Sequence, residues 1–116
     1  QRRYKLTLNS GQLRFYTSTN GAASNYVNSS SLSAGTWYHL IFSYDGADRA
    51  IYINNSDDTN GVPATSIWTS TSTFQIGGTG QFGGTLSETA FWSRSLTSAE
   101  RTRLYNSGAG VSYPGL

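Results

Sequence analysis

The sequence predicts an all-β fold, an antiparallel β-sandwich finished by one short C-terminal helix. Three observations predict it. Short runs of alternating apolar and polar residues recur along the chain, and each ends in a turn-forming cluster, as antiparallel strands do. Ser, Thr, Asn and Gly make up close to half of the 116 residues while charged residues are only 12%, a mix that suits strand faces and turns. Finally, 3 Trp, 8 Tyr and 5 Phe with a net charge of +2 argue for an ordered core, since disordered chains combine few aromatics with high net charge. A chain of this length forms one domain, residues 1–116, and buries roughly two-thirds of its unfolded surface.

The elements follow in order. Tyr4, Leu6 and Leu8 alternate with Lys5 and Thr7, Asn9-Ser10-Gly11 turns the chain, and Leu13, Phe15 and Thr17 alternate with Arg14 and Tyr16. That is a hairpin. Asn20-Gly21 marks another tight turn, because both residues tolerate positive φ. Residues 22–35 are polar and read as a loop. The strongest strand signal is 36–44, with Tyr38, Leu40, Phe42 and Tyr44 on one face and Trp37, His39 and Ile41 on the other. Apolar groups on both faces predict a central strand covered on both sides. Asp45-Gly46 closes it, 50–53 returns as its partner, and 54–61 is a polar loop.

Further short strands are expected at 62–68 and 73–76, a glycine-rich stretch over 77–84 around Phe82, and a last strand at 86–92. The helix signal is sharper. Thr97-Ser98-Ala99-Glu100 forms a capping box, in which the Thr hydroxyl and Glu carboxylate reciprocally satisfy free backbone amides. The helix should run to about Asn106, with Gly108 as a left-handed stop.

Composition excludes several classes. There is no cysteine, so no disulfide framework and no thiolate metal site. No apolar run approaches the ~18 residues of a membrane span, and no signal peptide is visible. The pI of 9.1 rests on 8 basic residues, four of them (Arg2, Arg3, Lys5, Arg14) near the N-terminus. A solvated strand face accounts for these, so no nucleic-acid partner is expected. The four Asp residues all fall between 45 and 58.

Several segments together resemble a known family. Gly35-Thr36-Trp37-Tyr38-His39-Leu40, Tyr44-Asp45-Gly46 and Ile51-Tyr52-Ile53-Asn54 resemble its Trp-x-His strand, turn and following strand. Phe74-Gln75-Ile76-Gly77-Gly78 resembles the phrase ending in Ile-Gly. The stretch from Gly84 through Glu88, Trp92 and Arg94 to Thr97 resembles its closing phrase. The family is that of laminin-G-like, concanavalin A-like jelly rolls. The ending Leu104-Tyr105-Asn106-Ser107-Gly108-Ala109-Gly110 also resembles such proteins of bacteriophages and marine bacteria.

The resemblance implies a jelly-roll sandwich in an extracellular, cell-surface or virion protein, whose partners are glycans or neighbouring protein subunits. It also implies that this chain is about the C-terminal two-thirds of a full domain, since family members carry further strands before the equivalent of Tyr4. The missing strands would come from a preceding segment or another chain. Ser87 replaces the usual Asp of the closing phrase, which weakens any calcium site built on that carboxylate.

Catalytic chemistry is not evident. Hydrolases sharing this sandwich need paired carboxylates at fixed spacing, and here Glu88 and Glu100 are the only glutamates and begin no E-x-D-x-x-E run. A triad from His39, Asp45 and a serine lacks a nucleophile elbow. For metal, Asp57 and Asp58 are the best calcium ligands in an Asp-rich stretch with Asp45, Asp48 and Asn60, although the same residues are turn formers. For a glycan, Tyr16, Tyr26 and Trp68 are the candidate stacking rings and Asn60 a candidate amide, while Trp37 and Trp92 are expected to pack. The function expected is non-catalytic recognition. The rivals are a purely structural subunit that assembles through its sheet edges and an accessory domain of a glycoside hydrolase.

Overall fold

The computed structural model describes residues 4–18, 20, 24–61, 67, 71 and 82–112. They form two antiparallel sheets and one short helix, the expected β-sandwich. The first sheet has the order β1-β2-β3-β7 and the second β4-β5-β6. Here β1 is Tyr4–Asn9, β2 Gln12–Ser18, β3 Ser24–Ser31, β4 Leu40–Tyr44, β5 Arg49–Ile53, β6 Ser56–Asp57 and β7 Asn60–Gly61, and α1 is Ser98–Tyr105. The strands expected at 62–68 and 73–76 lie almost wholly outside the described residues.

The β1–β2 hairpin follows from its turn. Ser10 and Gly11 both have positive φ, 49° and 80°, which gives a two-residue turn matched to the twist of the strands and fixes the register. Leu6 therefore faces Phe15 and Leu8 faces Leu13. Asn54 and Asn55 (φ 51° and 67°) make the same kind of turn between β5 and β6.

The residues expected to be a polar loop, 22–35, instead contain β3, which lies inside the first sheet between β2 and β7. Its polarity is accommodated by side chains that bond to backbone. Ser29 is fully buried; its hydroxyl accepts the Leu13 amide at 3.0 Å and donates to the Ser30 carbonyl at 2.7 Å. The pairing of Gln12 with Ser31 and of Arg14 with Asn28 leaves Ser29 and Ser30 together opposite Leu13, a bulge. The segment 54–61 is likewise more than a loop, because it carries β6 and then crosses to the other sheet as β7. Thr59 supports that crossing, since its hydroxyl accepts the Ile51 amide at 2.9 Å. Gly61 (φ +126°) completes it, because a Cβ there would lie 3.2 Å from the Tyr26 carbonyl and the Val27 Cα.

Leu13, Phe15, Val27 and Ile51 form the buried core, with Leu40, Phe42, Tyr44 and Ile53 packed against it. Phe15 meets Phe42 edge-on across the sheets, centroids 5.9 Å apart. Arg49 is also buried between them and donates to the carbonyls of Asn25 (2.6 Å) and Phe15 (3.4 Å). Burial pulls its guanidinium below the ordinary value.

Other expectations need correction. Among the described residues β4 pairs with β5; the strand expected from residue 36 begins only at Leu40, the end of that ladder, and Trp37, three residues before it, is 69% exposed rather than packed. Residues 86–92 form no strand: no ladder among the described residues takes them up, and Leu86, Phe91 and Trp92 stay exposed. Strand propensity needs a partner to be realised. The helix follows expectation more closely. Thr97 caps it and Glu100 completes the capping box, while the left-handed stop falls at Asn106 (φ 47°), two residues before Gly108.

Candidate functional site: the outer face of the four-stranded sheet

Directly paired residues in an antiparallel ladder share a face. The register therefore places Lys5, Tyr16 and Tyr26 in one row across β1, β2 and β3, and Thr7, Arg14, Asn28 and Asn60 in the next row across all four strands. The core residues Leu13, Phe15 and Val27 alternate with these, so both rows lie on the outer face. Three of the four residues expected to bind a glycan (Tyr16, Tyr26 and Asn60) thus share one face. The fourth, Trp68, lies outside the described residues.

The face is built from cations seated on rings. The Tyr16 and Tyr26 rings are 4.9 Å apart and tilted by 46°. The Lys5 ammonium sits 5.7 Å from the Tyr16 centroid, and the Arg14 guanidinium 4.9 Å from that of Tyr26. Arg14 Nη1 also donates to the Tyr16 hydroxyl at 3.4 Å, a contact that raises its pKa further. Lys5, Tyr26 and Asn60 are exposed, and Arg14, Tyr16 and Asn28 half-buried. Arg14 Nε and Thr7 Oγ1, on paired residues, have no hydrogen-bond partner among the described residues.

Sequence reasoning missed Lys5, Arg14 and Asn28 as members of the site. The two cations were legible, because a two-residue hairpin turn sets Lys5 opposite Tyr16 and Thr7 opposite Arg14. Asn28 was hidden once β3 was read as a loop.

The acidic residues lie elsewhere and are occupied. Both Asp58 oxygens accept from Ser30, from its amide at 3.0 Å and its hydroxyl at 2.8 Å. Asp57 Oδ1 accepts the amide and hydroxyl of Thr59 at 3.0 and 2.6 Å. Asp45 accepts the amides of Asp48 and Ala47 at 2.7 and 2.9 Å, which hold its carboxyl below the usual range. Asp45, Asp48 and Asp57 line a cleft of about 480 Å³ on the second sheet, together with Ser43, Tyr52 and Arg101. Among the described residues no group of three or more His, Cys, Asp or Glu side chains gathers to hold a metal. Calcium takes six to eight oxygens, so an ion here would compete with Ser30 and Thr59 for the two carboxylates.

His39 and Asp45 flank β4 at opposite ends, roughly 20 Å apart at 3.3 Å per residue. They form no catalytic pair. His39 instead packs beside Tyr105 of α1, with centroids 5.8 Å apart, and burial lowers its pKa. Glu100 is bound to Arg94 and to the cap of α1.

Comparison with curated proteins and with solved structures finds no match to the chain. Comparison with protein families does, over residues 1–100, and the family is described as the concanavalin A-like lectin/glucanases superfamily, of laminin-G type. Domains of this type are generally non-catalytic modules that bind carbohydrate or protein, and they are commonly extracellular. Among the described residues no helix is long and apolar enough to cross a membrane. With a sandwich that fits and a match spanning most of its length, the chain belongs to the concanavalin A-like lectin/glucanases superfamily.

Proposed function

We propose that this domain is a non-catalytic recognition module that binds glycan through the outer face of the β1-β2-β3-β7 sheet, on a cell-surface, secreted or virion protein. One observation carries the reading. Two tyrosine rings, two cations and two amides lie in adjacent register rows on a single accessible face, and these are the groups that engage sugar rings, acidic substituents and hydroxyls. The test is a glycan array probed with the wild-type domain and with an Arg14→Ala/Tyr26→Ala variant, in calcium and in chelator. Binding that the variant loses supports the face. Silence of the wild type in both conditions overturns it. Calcium is kept in the design for Asp57 and Asp58, and metal-dependent binding would come with a calcium-dependent rise in Tm.

A second reading, assembly with other protein subunits, is favoured by β1, which among the described residues pairs only with β2. Leu6 and Leu8, on its core-facing side, are each 45% exposed, and exposed apolar side chains on a strand invite association. Light scattering separates the two: a monomer at high concentration that still binds glycan leaves the first reading standing alone.

A further inference from the structure

We infer that the outer face takes acidic polysaccharide, a carboxylated or sulfated glycan chain, with Lys5 and Arg14 pairing to its anionic groups and Tyr16 and Tyr26 acting as supports for those cations. The inference rests on the reading of this face as the ligand face. It differs from that reading in the role given to the rings. A tyrosine whose face already carries a guanidinium does not offer that face to a sugar. Arg14 over Tyr26 and Lys5 over Tyr16 make the rings pedestals, not stacking platforms, and the Arg14 hydrogen bond to the Tyr16 hydroxyl steadies the fork. A cation held in place loses less freedom on binding.

The charge distribution agrees. The four strands of this sheet contain no Asp or Glu. Arg94 pairs with Glu100 on the helix side, remote from this sheet in sequence, and among the described residues no carboxylate lies within ion-pair distance of Lys5 or Arg14. The nearest acid along the ladder, Asp58, is turned to Ser30 at the far end of β3. Arg49 adds a further cation beneath the same strands through its bonds to Phe15 and Asn25. Lys5 and Arg14 occupy diagonal register positions, roughly 7–8 Å apart, a span that neighbouring acidic groups of one polymer chain can bridge.

The test uses matched polymers that differ in charge alone: polygalacturonate against its fully methyl-esterified form, and dextran sulfate against dextran, with oligodeoxythymidylate as the phosphate arm. Binding is measured by biolayer interferometry at low and high salt for the wild type, Lys5→Gln, Arg14→Gln, Arg14→Lys, Tyr26→Phe and Tyr26→Leu, each shown folded by circular dichroism. The expected result is binding to the acidic polymers only, weakened at high salt. Loss of either cation should weaken it about tenfold, with Arg14→Lys intermediate. Tyr26→Phe keeps the ring beneath Arg14 and should therefore lose less binding than Tyr26→Leu, which should lose several-fold. Equal binding to the esterified or unsulfated polymers overturns the inference while leaving the glycan face intact, as does indifference to both Gln variants. Preference for the oligonucleotide assigns the cations to a different class of polymer and also overturns it. Failure to bind any polysaccharide sinks the face itself.

Discussion

Asp58 is the point where the two sheets are tied, and its removal gives a measurable prediction. As the chain leaves the second sheet, the Asp58 amide still donates to the Ile51 carbonyl at 2.9 Å, while its carboxylate already reaches Ser30 in the bulge of β3 at 3.0 and 2.8 Å. Asp58→Ala deletes both side-chain bonds and leaves the backbone bond. Hydrogen bonds to a charged group contribute about 1.5–3 kcal/mol when well shielded and less at an exposed site, so the pair is worth about 1–2 kcal/mol here. For a domain of this size that corresponds to a Tm drop of roughly 4–8 °C. Asp58→Asn keeps one acceptor and should fall between the two. Ser30→Ala removes the hydroxyl bond only, and a double-mutant cycle with Asp58→Ala should show a coupling energy of about 0.5–1 kcal/mol. The assay is thermal and urea unfolding in chelator. A variant melting within 1 °C of the wild type, by the ~4 °C per kcal/mol scale, would refute the idea that this carboxylate braces the crossing between sheets.

Two further predictions concern the core and the helix. Ile51 is fully buried, so Ile51→Ala should cost about 2–5 kcal/mol in urea unfolding; a loss under 1 kcal/mol on that scale would mean the core does not centre there. Glu100 is pushed from 4.5 down to about 2, first by the Arg94 guanidinium and then by the Thr97 amide. A depressed folded-state pKa contributes stability that is present above the unfolded value and lost as pH falls through the folded one. Helix content and Tm should therefore decline between about pH 4.5 and 2, and Glu100→Gln, measured by circular dichroism, should flatten that decline while lowering Tm at neutral pH.

What was legible in the sequence were features decided within a few residues. The β1–β2 hairpin was readable because alternation and a Ser-Gly turn fix its register locally, and α1 because Thr97 and Glu100 satisfy each other's backbone amides within one turn. The lack of paired carboxylates was equally plain. Features that depend on a distant partner were not. Nothing near Ser29 announces a buried strand, since its hydroxyl is satisfied by Leu13, sixteen residues away. The strand-like pattern at 86–92 meets no ladder among the described residues, and Trp37 is exposed because β4 starts after it. Tyr16, Tyr26 and Asn60 were each recognisable as ligand-binding residue types, but only the pairing of β2 with β3 and of β3 with β7 sets them side by side with Lys5 and Arg14. The sequence alone determined the fold class, the turns and the capped helix, because local geometry and side-chain chemistry suffice for them. The tertiary structure decided which polar strand fills the sheet and which residues share its outer face, because register between strands far apart in the chain is fixed by burial and backbone pairing.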